Sequence, residues 1–376
     1  MNYTKTMKLT LQIKLLPTDE QAKSLLTTLK EANTVCNKIS DTVWVEQIWN
    51  QFKVHHLVYH PLKQSTRLSA QMLVRCISKV IDAYKLDRNK KRIFQPLGAI
   101  TYDPRILSYK GTTVSLWTVD GRLKIPFICH NTKYLPYVKG EADLVYKKGK
   151  FYLFQTIEVP EEDVKDVEDF IGVDFGITDI ATLSDGTSFG SKDLNNVRDK
   201  YFKVRRSVQS KGTKGAKKLL KRLKGREQRF ASITNHTISK VVVEKAVSEN
   251  KGIAIEDLTH IRERTTVRKA QRRRHHSWAF AQLRSFLEYK AKLFGVPLVV
   301  VNPKYTSKTC NKCKTIGDRN GKHFSCPSCG NIADADINAA QNIAQLGALC
   351  RQSRKDVSML NFVSHIPLKA DCFSCQ

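Results

Sequence analysis

Residues 305–343, YTSKTCNKCKTIGDRNGKHFSCPSCGNIADADINAAQNI, restrict this chain more than any other stretch. Two CxxC pairs, Cys310/Cys313 and Cys326/Cys329, flank a twelve-residue loop. Each pair offers two sulfurs from one tight knuckle. Four thiolates can close a tetrahedral Zn²⁺ shell with no open position, which is the structural kind of zinc site. The loop can be short because the metal takes the place of a hydrophobic core. The alternative is a set of reduced thiols that merely lie near one another. Asp334-Ala335-Asp336 follows at once and reads as a helix start. The zinc unit is therefore expected to position a carboxylate-bearing helix rather than to perform chemistry itself.

At 376 residues the chain has room for more than one domain and a proper core. Its 64 Lys and Arg against 35 Asp and Glu leave a formal net charge of +29. Such an excess condenses on polyanions, nucleic acid above all. No long amphipathic anchor points to a membrane surface, and no run approaches the roughly 18 apolar residues that span a bilayer. The opening MNYTKTMKLTLQIKLL lacks the apolar core and cleavage site of a signal peptide. Cys36, Cys76, Cys129, Cys350, Cys372 and Cys375 are scattered without a disulfide-framework pattern, and the last two make a stray CxxC without a partner pair. The expected compartment is reducing and intracellular.

Along the chain, residues 8–16 alternate as a strand, and Thr18 or Asp19 caps the first of several helices reaching to about Asp87. From about Gly98 to Val159 the texture is β. One hairpin is expected to turn at Asp120-Gly121 and a second at Lys148-Gly149. With the N-terminal strand these can close a small barrel, the helices being an insertion after its first strand. An acidic linker, residues 160–169, leads to the apolar strand IGVDFG and a hairpin turning at Asp185-Gly186. Residues 197–229 then hold fourteen Lys and Arg against two acids, in a helical pattern that exceeds what solubility needs. Arg205, Arg206, Lys217, Lys218, Lys221 and Arg222 lie within it as candidate nucleic-acid contacts. After the strand GIAIEDL comes a second basic segment, with Arg268, Arg272, Arg273 and Arg274, and then a helix and the strand PLVVVNP. This order is that of a mixed α/β layer. Residues 351–376 show no clear pattern and read as a flexible tail.

Three acids stand on otherwise apolar elements, where an unpaired charge is costly: Asp174, Glu256 and Asp336. Carboxylates gathered from separate elements offset that cost by binding divalent metal, and oxygen-only ligands select Mg²⁺ or Mn²⁺ over zinc. Two such ions support phosphodiester hydrolysis. The competing reading makes Asp336 a helix N-cap and Asp174 a turn residue.

The motifs IGVDFGITDIATLSDG, IAIEDL, SWAFAQLRSFLEYKA, PKYTSKTCNKC and CPSCGNIADADINAAQNI together resemble the TnpB family, the insertion-sequence-encoded RNA-guided nucleases related to compact type V CRISPR effectors. The resemblance is continuous over residues 171–346 and mostly architectural before residue 165. It implies an α/β RNase H-like RuvC nuclease domain at 169–304 and 331–350, with a zinc-binding insert, a zinc ribbon, at 305–330. It also implies an all-β wedge barrel at 1–17 and 97–168, into which an all-α recognition domain at 18–96 is inserted. The catalytic aspartate of the first motif falls on Asp174, the glutamate on Glu256 and the last aspartate on Asp336. Asp257 and Asp334 are their non-catalytic neighbours. Many members carry Arg where this chain has Ala335, and Gly where it has Lys314. The implied partners are a noncoding guide RNA and a double-stranded DNA target cut beside a short motif, by a monomer acting in a prokaryotic cytoplasm at the nucleoid. Gln71 and its neighbours are the candidates for reading that motif. A cleavage-inactive repressor and a DNA transposase are the competing functions.

Overall fold

The computed structural model describes residues 5–223, 225–258 and 280–355. These form two compact units that divide after Pro160.

The first unit starts with β1 (Thr6–Leu15), followed by α1 (Asp19–Glu46), α2 (Gln51–Ser65) and α3 (Ala70–Leu86). Thr18, rather than Asp19, caps α1. Its hydroxyl accepts from the Gln21 N–H while the Gln21 amide oxygen accepts from the Thr18 N–H, a reciprocal capping box. Leu25, Leu29 and Ile39 of α1 and Leu73, Ile77 and Ile81 of α3 are all buried. Then come β2 (Ile100–Tyr102), β3 (Leu107–Lys110), β4 (Thr113–Thr118), β5 (Gly121–Ile128), β6 (Val138–Lys147) and β7 (Lys150–Pro160).

One seven-stranded sheet results, in the order β2-β6-β7-β1-β5-β4-β3. The first strand of the chain sits at its centre, antiparallel to β5 and β7. Residues 103–106 join the two edge strands β2 and β3, so the sheet must curl into a nearly closed barrel. The β6–β7 hairpin turns at Lys148 (φ 53°) and Gly149 (φ 76°), the left-handed pair that a two-residue hairpin requires. The β4–β5 turn lies one residue before its expected place. Val119 and Asp120 form the loop, and Gly121 already pairs with Thr118. The buried Thr118 hydroxyl accepts from the Asp120 N–H and donates to the Gly121 carbonyl, which fixes that register.

The second unit contains β8 (Phe170–Asp174), β9 (Asp179–Leu183), β10 (Ser188–Gly190), α4 (Lys192–Ser210), α5 (Lys214–Leu223) and α6 (Arg226–Ser248). It continues through β11 (Gly252–Glu256), α7 (Phe280–Leu293), β12 (Leu298–Val301), the short strands β13 (Asp318–Asn320), β14 (His323–Ser325) and β15 (Ile332–Asp334), and α8 (Ala335–Lys355). The main sheet runs β10-β9-β8-β11-β12, with β8, β11 and β12 parallel. All five residues of β11 are buried, as expected of a strand covered on both faces.

Strand alternation divides the core. Ile171, Val173, Ile253 and Ile255 pack with Val242 of α6 and Leu283 and Leu287 of α7. Phe170, Ala254, Val299 and Val301 pack with Ile343 and Leu346 of α8. Small residues let α8 lie close against the sheet: a Cβ on Gly172 would fall 1.9 Å from the Ala340 carbonyl oxygen. Helix α8 also runs through Lys355, past the expected start of a patternless tail at Arg351. Its last turn needs no apolar stripe, because Gln, Arg and Lys are good helix formers on their own. Residues 356–376 lie outside the described residues.

Candidate active site

Strands β8 and β11 run parallel, with Val173 opposite Ile255, so Asp174 and Glu256 stand at adjacent carboxyl ends. That end of a parallel sheet is where α/β folds form their crevices. Asp336 reaches the same cleft from the first turn of α8. The cleft has a volume of about 660 Å³, and Thr306, Arg319 and Lys322 line it together with the three acids.

Asp336 is not the helix cap. Asp334 takes that part: its Oδ1 accepts from the Asp336 N–H at 2.8 Å and from the Ile337 N–H at 3.2 Å. The Asp336 carboxylate is thereby left for the cleft. Asp174 is the last residue of β8 rather than a turn residue.

Burial pushes the Asp174 carboxyl up to about 8, reinforced by the negative charges of Glu256 and Asp336 and opposed by Arg319. Burial likewise lifts Glu256 to about 7, against the hydrogen bond from Thr306 and the charge of Arg319. Asp336 is raised by burial and opposed first by Arg319. Converging acids that resist ionisation need a compensating cation, and an oxygen-only donor set at a sheet terminus suits a hard divalent ion. Among the described residues, however, no group of carboxylates is drawn together as tightly as the four cysteine thiols. Protein cations supply part of the charge. Arg319 Nη2 donates to Asp336 Oδ1 at 2.8 Å. Lys322 pairs with Asp179 and lies 4.0 Å from Asp336 Oδ2.

Arg319, Lys322 and Thr306 escaped sequence reasoning. The first two lie in the loop between the CxxC pairs and read there as part of the zinc unit. Only the folded β13–β14 hairpin carries them to the acids. Their signal was two cations beside a turn glycine, Gly321, which is too common a pattern to be informative.

The four cysteine sulfurs lie within 4.8 Å of one another, with Cys310 and Cys329 at 3.7 Å and Cys313 and Cys326 at 3.4 Å. Tetrahedral Zn–S bonds of about 2.3 Å require sulfur separations of roughly 3.8 Å, so the donor set fits zinc in number, type and spacing. Each knuckle closes in the same way. The N–H of Lys314 donates to Cys310 O, and that of Gly330 donates to Cys326 O, both at 3.0 Å. These two residues adopt left-handed φ of 62° and 68°. Lys314 thus takes a conformation natural to glycine, and its Nζ donates to Asn311 O at 2.7 Å and to the Gln345 side chain on α8.

Arg205 and Arg206 on α4, and Lys217, Lys218, Lys221 and Arg222 on α5, are all exposed. Arg205 is paired with Glu227 at 2.5 Å. Arg268, Arg272, Arg273 and Arg274 lie outside the described residues. Gln71 belongs to the first unit, where its amide donates to Asp103 and accepts from Arg105 at 3.2 Å. Both ends of that amide are therefore engaged. No helix among the described residues is long and apolar enough to cross a membrane.

Residues 280–343 match the family profile described as Cas12f1-like, TNB domain. The chain is 30% identical over 269 residues to the TnpB-like protein MJ0751 of Methanocaldococcus jannaschii, across 69% of this chain and 91% of that protein. It is 31% identical over 221 residues to the CRISPR-associated endodeoxyribonuclease Cas12f1 of Sulfoacidibacillus thermotolerans, across 53% of this chain and 50% of that one. It therefore spans half the length of the latter relative. In fold it resembles Cas12f1 as seen in a complex with sgRNA and target DNA, with a TM-score of 0.60 at 14% identity, covering 90% of this chain and 99% of the other.

Proposed function

This chain belongs to the TnpB family, and from that premise we propose that it is an RNA-guided DNA endonuclease with one nuclease site. The observation that carries the reading is the convergence of Asp174, Glu256 and Asp336 on one cleft at the carboxyl ends of parallel strands. The similarity to a relative named as an endodeoxyribonuclease supports it.

In this reading, residues 169–304 and 331–350 are a RuvC-like nuclease domain with the zinc insert at 305–330. Residues 1–17 and 97–168 are the wedge barrel, and 18–96 the recognition domain. When bound to the three acids, Mg²⁺ or Mn²⁺ supplies an acidified attacking water and charge neutralisation at the leaving 3′ oxygen of a phosphodiester. The protein's own residues do the rest. Asp174 and Glu256 provide oxygen ligands from rigid strand ends, and Asp336 provides one from a capped helix. Arg319 holds Asp336 and presents a guanidinium beside the cleft, suited to a phosphate oxygen. It supplies a cation to a site that carries Ala335, where the family resemblance implies Arg in many members. The exposed cations of α4 and α5 hold nucleic-acid backbone, and pairing between guide RNA and DNA reads the sequence. A monomer in its RNA complex cuts both strands in turn, beside a motif read by the first unit. Because Gln71 is already hydrogen-bonded at both ends, Arg105 beside it is the freer group for that contact.

The test is to express the protein with its flanking DNA, sequence the RNA that co-purifies, and challenge the complex in Mg²⁺ with a plasmid library of randomised flanks. A discrete RNA with cutting that Asp174→Ala abolishes supports the reading. A discrete RNA with binding but no cutting favours the repressor, and strand transfer the transposase.

A further inference from the structure

Glu256 is 8% exposed and Thr306 is 2% exposed, and the Thr306 hydroxyl donates to Glu256 Oε1. Thr306 Oγ1 also lies 3.1 Å from the Pro303 carbonyl. A hydroxyl has one proton, and an ionised carboxylate can only accept, so that proton belongs to Glu256 whenever the acid is charged. One acceptor site of the carboxylate is thereby taken, and its remaining lone pairs are left for a ligand in the cleft.

The turn that carries Thr306 is itself held at two carbonyls. The Thr306 carbonyl accepts from Asn342 Nδ2 at 3.0 Å, and the same nitrogen donates to Thr309 O at 2.6 Å. Asn338 Nδ2 donates to Thr309 O at 2.8 Å, and Asn338 Oδ1 accepts from the Asn311 N–H at 2.9 Å. Both asparagines are buried, and both lie on α8, the helix that bears Asp336. The turn begins at Tyr305, a left-handed φ of 64° in an aromatic residue. That conformation crowds an aromatic residue's Cβ against its own backbone and survives only where its surroundings enforce it. Cys310 follows directly, so one buried run of hydrogen bonds links the first zinc ligand, the Asp336 helix and Glu256.

We propose that Thr306 is the positioning residue of Glu256: it fixes the carboxylate for the divalent ion and joins that ligand to the zinc unit. The inference rests on the nuclease reading. Hydrogen-bond partners of metal-ligating carboxylates typically contribute tenfold to a hundredfold in metal affinity.

The test uses the zinc-loaded full-length protein and measures Mn²⁺ binding by electron paramagnetic resonance, counting only binding that Asp174→Ala abolishes. Thr306→Val, which keeps the shape and removes the hydroxyl, is expected to weaken Mn²⁺ at least about tenfold. Thr306→Ser should restore affinity to within about threefold of the parent. Zinc content and melting temperature should match the parent in both. Thr306→Ala makes the same comparison where valine does not fit. Parent-like Mn²⁺ affinity in a folded Thr306→Val or Thr306→Ala protein would overturn the inference alone, as would a serine variant that loses as much as valine. Absence of Asp174-dependent Mn²⁺ binding in the parent would overturn the nuclease reading along with it.

Discussion

Asp174 and Glu256 show how placement alone turns two ordinary carboxyls into candidate ligands of one cleft. Each ends a short apolar strand, and the parallel register sets them side by side, where burial raises both affinities for a proton and the charge of Glu256 adds to the rise at Asp174. A carboxyl with a folded-state pKa above its unfolded value binds protons more tightly when folded. Its favourable contribution is complete below about pH 4 and is lost as pH rises through the folded values of about 7 and 8. The metal-free protein should therefore lose stability between pH 5 and 8.5 relative to Asp174→Asn, which cannot ionise there. At pH 8 the variant should be more stable by on the order of 1–2 kcal/mol in urea titrations. Saturating Mn²⁺ should close that gap by stabilising only the parent, and equal pH profiles for the two proteins would refute the account. Asp334 teaches the complementary lesson. Two aspartates one residue apart look alike in the sequence, but only the one that accepts helix N–H groups is spent on the backbone.

Among elements, α8 and the β13–β14 hairpin decide the site. Gly172 gives α8 its approach to β8, because any Cβ there would meet the backbone of Ala340 and Ala344. Gly172→Ala must push the helix outward, and Asp336 with it. We expect a loss of roughly 1–3 kcal/mol and a fall in Mn²⁺ affinity, read by melting and by the same resonance titration. Parent-like values for both would mean that the seam is loose. The hairpin is tied to the acids by Arg319 and Lys322 and to the metal knuckles by its own ends. Zinc chelation should therefore lower cleavage as well as stability, because it frees the cations that flank Asp336. Cleavage that outlasts complete zinc removal, measured by metal analysis on the same sample, would separate the two.

The charge of +29 is unevenly spread: residues 197–229 hold fourteen Lys and Arg against two acids, and the α5 cations Lys217, Lys218, Lys221 and Arg222 are exposed. If Lys217, Lys218, Lys221 and Arg222 each neutralise a phosphate, replacing all four with Gln should reduce the slope of log affinity for RNA against log salt by about 3. Filter binding across a salt series reads this directly. An unchanged slope would make α5 a solvated face and shift the interface elsewhere.

The sequence determined whatever depends on local spacing. Two CxxC pairs, apolar strands that each carry a candidate acid, Lys148-Gly149 at a hairpin and the basic run all follow from neighbours in the chain, and each was legible. It also indicated that a helical segment interrupts a β-unit, since a lone first strand must find partners later. Only the tertiary structure decided which aspartate caps α8, that the β4–β5 turn centres on Val119 and Asp120, and that Arg319, Lys322 and Thr306 line the acidic cleft. The last of these depends on where a hairpin and a turn come to rest against a sheet formed some fifty to more than a hundred residues earlier. Such contacts leave no period in the sequence, because they arise from packing between elements rather than from the geometry of any one of them.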